Sequence, residues 1–167
     1  VFFIAAIEGG RELSGVKVER LEHKDVVDLA VELGERAARM RSGDDPELGK
    51  SKGALDALPL PLLRIAMKLT AYVTSDKDMS IDLLGLKRSP FGSAIVSSVG
   101  MFGIPMGFAP IASMERVPLL VLVGAVTEKP VVIDGKIAIR SMLPITATID
   151  HRYVDGWHIS RAMRTFK

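Results

Sequence analysis

The sequence contains no cysteine. That excludes a disulfide, a thiolate metal site and a cysteine nucleophile, and it leaves the compartment open. There is no block of five or six like charges either. The 22 basic and 20 acidic residues are mixed along the 167-residue chain and leave a formal net charge of +2. Nucleic-acid binding therefore gets little support. A long apolar run is also missing, because Leu58 to Val73 is broken by Arg64 and Lys68 and is too short and too charged for a membrane span. No GxSxG occurs, so nothing local argues for a serine hydrolase. No internal repeat and no low-complexity tract is present. No signal peptide is legible, since "VFFIAAI" runs at once into the acidic, glycine-rich "EGGRE". What remains is 48% hydrophobic and 25% charged, a composition expected of one globular domain with a real core. The chain opens at Val1 in what reads as mid-strand, as a piece of a longer polypeptide would.

"FFIAAIE" reads as a buried strand and "SGVKVERL" as a second short one. From Lys24 to Arg41 the period changes. Val26, Ala30, Leu33, Ala37 and Met40 predict one apolar stripe on a helix. Glu32 with Arg36, and Glu35 with Arg39, are i,i+4 pairs in the favourable order, and Gly43 is a plausible stop. Asp44 to Leu58 predicts a loop. Pro61 to Thr74 predicts a helix that is apolar on most sides and must be covered, with Pro61 in its first turn. "TSDKDMS" reads as a turn and "IDLLGLKR" as a short helix. From Phe91 the pattern becomes β: "GSAIVSSVG", then the buried "LLVLVGAV", then a hairpin turning at Asp134-Gly135. The second arm of that hairpin is expected to run unbroken into His151. Trp157 to Phe166 predicts a terminal helix.

Two of the three histidines fall in "TIDHRYVDGWH", Thr148 to His158. His151, Asp155 and His158 stand at i, i+4 and i+7 and would share one helix face. Ile145 to Asp150 is strand-like, however, and Gly156 interrupts a helix starting at the histidine, so a metal site fits poorly. The plainest alternative is a satisfied histidine at a polar strand end. The third is a general base, since an imidazole accepts a proton near neutral pH. Such a base needs a substrate with a proton to lose and a donor for the developing oxyanion. The residues alone leave these readings open.

"DHRYVDG" resembles the His-x-x-x-Asp-Gly signature of the chloramphenicol acetyltransferase superfamily. More closely, the chain is similar to the acyltransferase (dihydrolipoyl transacylase) component of 2-oxo acid dehydrogenase complexes. "SSVGMFGI", "FAPI" and "VGAVTEKPVVIDGKIAIRSMLPITATIDHRYVDG" follow that family's catalytic domain segment by segment, and "ELSGVKVERLEHKDVVDLAVELGERAARMRSG" resembles the strand and helix before it. The likeness covers nearly all of the chain outside about Asp44 to Arg88.

The resemblance implies an α/β fold: a two-layer sandwich with a mixed β-sheet and helices on one face, present as a partial domain. It implies trimers, or multiples of three, with the substrate channel between neighbouring subunits, and other 2-oxo acid dehydrogenase components as partners. The acyl group would pass between a dihydrolipoyl thiol and coenzyme A, which acts as a substrate. The residue matching the family's histidine is His151, a general base for the attacking thiol. Ser97, the first serine of "VSSVG", would donate to the oxyanion from the adjacent subunit. Asp155 matches the family's Asp or Asn position and is expected to hold the histidine loop. No metal, nucleic acid or membrane is implied. The setting is cytoplasmic in a bacterium and the mitochondrial matrix in a eukaryote. Residues 1–167 then form the C-terminal portion of the catalytic domain, with a family-atypical insertion at about 44–88. The lipoyl group would be carried elsewhere, since the flanks of Lys77 resemble no lipoyl hairpin. The competing expectation is a non-catalytic trimeric scaffold of the same fold whose channel the insertion blocks.

Overall fold

The computed structural model describes residues 1–7, 12–42, 59–80, 88–111 and 116–165. The expected stop at Gly43, the expected loop from Asp44 to Leu58 and nearly all of the expected short helix "IDLLGLKR" lie outside the described residues. The chain divides into two compact units, Val1–Ile95 with Ala112–Val117, and Val96–Ile111 with Pro118–Lys167.

In the first unit, β1 (Phe2–Ile7) and β2 (Glu12–Lys17) pair antiparallel with Ile4 opposite Gly15. The Phe2 ring fills the space that a side chain at Gly15 would need. The amide of Phe2 donates to Ala94, just before β3 (Ile95–Ser98), at 2.8 Å. Within this unit β1 thus lies between β2 and the segment that leads into β3. β2 ends earlier than the sequence pattern suggests. Beyond Val18 the chain bends through Arg20, at φ 53°, into a 3-10 turn at Leu21–His23. The apolar contacts of this unit centre on Val16, Val18, Ile95 and Val117.

Helix α1 (Val26–Arg41) starts at a capping box in which Asp25 and Asp28 each accept the other's backbone N–H. Glu32 binds Lys24 and Arg36, and Arg39 lies 3.8 Å from Glu35. α1 packs on β2 and β1. Its inward stripe is Leu29, Leu33, Ala37 and Met40, whereas Val26 and Ala30 of the expected stripe are exposed. Spacing alone scarcely separates the two choices, and Leu29 offers more area to bury than Ala30.

Helix α2 (Leu60–Ala71) runs on into a π-helical turn at Tyr72–Asp76. Within the single chain it is covered along one stripe only, so the cover expected for its other sides would have to come from a neighbouring subunit. Leu63, Ala66, Thr70, Val73 and Thr74 form a half-buried to buried stripe, while Leu62, Ile65, Leu69 and Tyr72 form a second stripe in solvent. Two apolar stripes on one helix permit docking by either, and a single chain uses one.

In the second unit the order is β3-β4-β7, with β4 at Leu119–Val123 and β7 at Ile145–Ile149. β4 and β7 are antiparallel with Val121 opposite Ala147. The amide of Val99 donates to Val123 at 2.9 Å, so the ends of β3 and β4 meet and these strands are parallel. The sheet is therefore mixed. Alternation along β4 buries Leu120 and Leu122 and leaves the other three half-buried.

The Asp134-Gly135 turn forms as predicted, both residues at positive φ (50° and 74°), between β5 (Thr127–Ile133) and β6 (Lys136–Met142). The expected unbroken arm does not form. It breaks at Leu143-Pro144, where proline offers no N–H to the ladder, and β7 then pairs with β4 instead. Helix α3 (Gly156–Thr165) follows. Among the described residues no helix is long and apolar enough to cross a membrane.

Candidate active site

His151 sits on the tight turn between β7 and α3. The antiparallel pairing of β7 with β4 continues one residue further, where the Asp150 amide donates to the Pro118 carbonyl at 2.8 Å. The strand ends there because the Asp150 carbonyl accepts from Tyr153 and Val154, at 3.0 and 3.4 Å, which curls the chain back. The Asp150 carboxylate accepts from the amide of Arg152 and from its guanidinium. These bonds from Arg152 hold the Asp150 carboxyl well below the usual carboxylate range, at about 2. His151, between these two residues, is exposed, and its ring bonds to no described residue.

Asp155 caps α3. Its Oδ1 accepts from the amides of Trp157 and His158, both at 3.1 Å, and lies 2.6 Å from His158 Nδ1. The backbone and side-chain hydrogen bonds from His158 lower the Asp155 carboxyl below its ordinary value. Of the trio His151, Asp155 and His158, the fold joins only the last two. Trp157 meets the His158 ring edge-on, and the Arg161 guanidinium lies over the Trp157 ring.

Ser97 is half-buried in β3, and Ser98 is exposed. The segment after them is fixed by close backbone packing. A Cβ on Gly100 would lie 2.5 Å from the Gly124 carbonyl oxygen, and one on Gly124 would lie 2.2 Å from that of Pro105. Only glycine admits both approaches. Gly124 also donates to Pro144, and Ala125 to Ile104.

Ser97 and His151 of one chain do not meet. The Val99 bond places Ser97 beside Leu122, in the latter half of β4, whereas His151 lies beyond the start of β4 at Pro118. The offset is about 13 Å along the strands and about 10 Å across two strand spacings, or roughly 16 Å in all. Two side chains so far apart cannot act on one carbonyl carbon.

The residues that the sequence reasoning passed over are Asp150, Arg152, Gly100 and Gly124. Asp150 and Arg152 do leave a signal, an aspartate two residues before a long donor, which is the spacing of an Asx turn. The glycine contacts depend on distant backbone and leave none.

Comparison with known proteins bears on the whole of this arrangement. Residues 56–167 match the model of the 2-oxoacid dehydrogenases acyltransferase (catalytic domain) family. The chain belongs to that family. Membership agrees with the mixed sheet and with the resemblance carried by "DHRYVDG". A curated family relative in Schizosaccharomyces pombe, a probable dihydrolipoyllysine-residue succinyltransferase component of the 2-oxoglutarate dehydrogenase complex, is 29% identical over 164 residues. That alignment covers 98% of this chain and 33% of the relative. Dihydrolipoamide acetyltransferase from Azotobacter vinelandii, solved to investigate a serine, a histidine and an asparagine in its catalytic mechanism, superposes with a TM-score of 0.57 at 22% identity. It covers 99% of this chain and 50% of that one. The cubic core of a pyruvate dehydrogenase multienzyme complex gives 0.56 at 21% identity over 98% and 49%. At these identities the structures establish the fold, an acyltransferase catalytic-domain fold. The chain spans about half of the solved chains and a third of the S. pombe relative.

Proposed function

We propose that this chain is the C-terminal portion of an acyltransferase catalytic domain that moves an acyl group between a dihydrolipoyl thiol and coenzyme A. His151 takes the proton from the attacking thiol. The thiolate adds to the thioester carbonyl, and Ser97 of an adjacent copy donates a hydrogen bond to the oxyanion. The tetrahedral intermediate collapses, expels the other thiolate, and His151 returns the proton to it. No acyl-enzyme forms, which suits a chain without cysteine. Asp155 holds the end of the histidine turn as the cap of α3. Coenzyme A is a substrate, the lipoyl group is carried on another segment or chain, and no metal takes part. The working unit is a trimer or a multiple of three, alongside other components of a 2-oxo acid dehydrogenase complex. Residues 44–88 are an insertion in that domain. The family match begins inside it, at residue 56, so this part rests on the segments on either side.

The observation that carries the reading is His151 itself: a solvent-facing imidazole on a turn whose two flanking residues are locked. Further support comes from the A. vinelandii protein, where the histidine and asparagine studied are four positions apart, as His151 and Asp155 are here. The S. pombe relative is a succinyltransferase and the A. vinelandii protein an acetyltransferase, so no acyl group is assigned.

The test is an acyl-transfer assay on the full-length protein with coenzyme A and S-acyl dihydrolipoamide. His151→Ala is expected to lower the rate at least about a hundredfold, the low end for a general acid–base group, and to leave the fold intact. Near-normal activity in that variant overturns the general-base role. The exposed outer stripe of α2 favours a second reading, a trimeric scaffold without catalysis, which predicts no transfer by the wild type at all.

A further inference from the structure

We infer that Asp150 and Arg152 form a clamp that positions His151, with Asp150 as the anchor and Arg152 as its lock. The inference rests on the general-base reading of His151 and extends it to two residues that do not touch substrate.

Every polar group of Asp150 is engaged. Its amide is tied to Pro118 at the start of β4, and its carbonyl takes the amides of Tyr153 and Val154. Oδ1 accepts from the Arg152 amide at 3.0 Å and from Nε at 2.9 Å. Oδ2 accepts from Nε at 3.0 Å and from Nη2 at 2.5 Å. The guanidinium thus grips both carboxylate oxygens with the fork that arginine has and lysine lacks. His151 lies between the two ends of this loop of bonds. Its ring has no described partner of its own, so what the clamp fixes is the backbone from which the ring projects.

Magnitudes separate positioning from plain stabilisation. The Arg152 side chain is 80% exposed and that of Asp150 only 10%. An ion pair with one arm in water adds little to stability. A misplacement of about 1 Å at a reacting group, however, can cost about a hundredfold in rate. A merely structural pair therefore predicts small effects on every readout, and a positioning pair predicts a selective loss of turnover.

The experiment compares Asp150→Asn, Arg152→Gln, Arg152→Lys and the Asp150→Asn/Arg152→Gln double variant in the full-length protein. Asparagine keeps one acceptor for the Arg152 amide but loses the second carboxylate oxygen. Expected is a fall in kcat of about tenfold or more, with KM for coenzyme A within about twofold, the pattern of a contribution made only in the transition state. The double variant should be no worse than Asp150→Asn alone, because the two residues act as one unit. Lysine at 152 should not restore the rate. An unchanged kcat in folded Arg152→Gln and Asp150→Asn overturns the clamp. A second readout, independent of catalysis, is the NMR order parameter of the His151 amide, which should fall in all four variants. A His151 amide as ordered as in the wild type overturns the clamp even if the protein transfers no acyl group. Loss of that order in the clamp variants, with full activity in His151→Ala, keeps the clamp and removes the general-base reading instead.

Discussion

Ser97 and Ser98 are neighbours that differ in exposure, and this makes them a natural pair for a test. Ser97 is half-buried within β3, while Ser98 faces solvent. If the Ser97 hydroxyl donates to the oxyanion, Ser97→Ala removes about 2.7–4 kcal/mol of transition-state stabilisation and lowers kcat by about a hundred- to a thousandfold, with KM little changed. Ser98→Ala should leave both constants near wild type. Steady-state kinetics checks this, and equal losses at the two positions would count against the assignment. Asp150 gives a prediction of a different kind. Its folded-state pKa is about 2, below the ordinary 3.8. A depressed carboxyl contributes stability that is fully present above the unfolded value and is lost as pH falls through the folded one. The gap in thermal midpoint between wild type and Asp150→Asn should thus hold above about pH 4 and close between about pH 4 and pH 2. A gap that persists at pH 2 would show that the carboxylate charge is not its source. At this scale the sequence was most informative where partners are close in the chain. "DHRYVDG" points to His151 and Asp155 through the family resemblance that it carries, and the bonds that curl the turn all fall within four residues. The Asp150–Arg152 pair is equally local, but an aspartate two residues before an arginine is common on exposed turns and does not by itself specify an ion pair.

Elements were partly legible where a local signal decides them and opaque where a distant partner does. The Asp134-Gly135 turn was legible from its own two residues. The capping box of α1 and the break at Pro144 are as local, yet neither was anticipated, and the arm was expected to run on unbroken. The pairing of β7 with β4 has no local cause, since Leu119 and Ile149 are thirty positions apart and any buried strand could have served. The same holds for the choice between two apolar stripes on α2, which depends on what the helix meets. Gly124 shows how such long-range fits can be tested. It lies buried just after β4, and a Cβ there would meet the Pro105 carbonyl oxygen at 2.2 Å, a backbone atom with no rotamer to yield. Gly124→Ala must therefore move the chain, and a forced fit in a packed interior costs about 1–3 kcal/mol. The expected result is a lower midpoint in chemical denaturation with an unchanged slope. Gly34, on α1 with open space around its Cβ position, is the matching control, where alanine should be tolerated or mildly stabilising. A Gly124→Ala protein as stable as the wild type would mean that the two loops do not approach as described.

At the scale of the whole molecule the roughly 16 Å between Ser97 and His151 governs what can be expected. A site that needs both residues cannot close within one copy, so a catalytic protein must bring the Ser97 of one chain to the His151 of another. This yields a test in which two inactive proteins are mixed. Ser97→Ala chains retain His151, and His151→Ala chains retain Ser97. In assemblies formed at random from equal amounts, a site has an intact histidine with probability one half and an intact serine from its neighbour with probability one half. About a quarter of the sites should then be whole, in closed rings where each copy lends a residue to the next. Denaturing the two variants together and refolding them should recover about a quarter of wild-type activity, while refolding each alone should recover almost none. Mixing folded variants without exchange is the control, and light scattering of the wild type should give a trimer or a multiple of three. Two results would end the shared-site view: a monomer at micromolar concentration with full activity, or co-refolded mixtures that form the normal assembly and remain as inactive as their parents. The second result would leave the assembly standing and would mean that no neighbour's Ser97 completes the site of a chain that keeps His151.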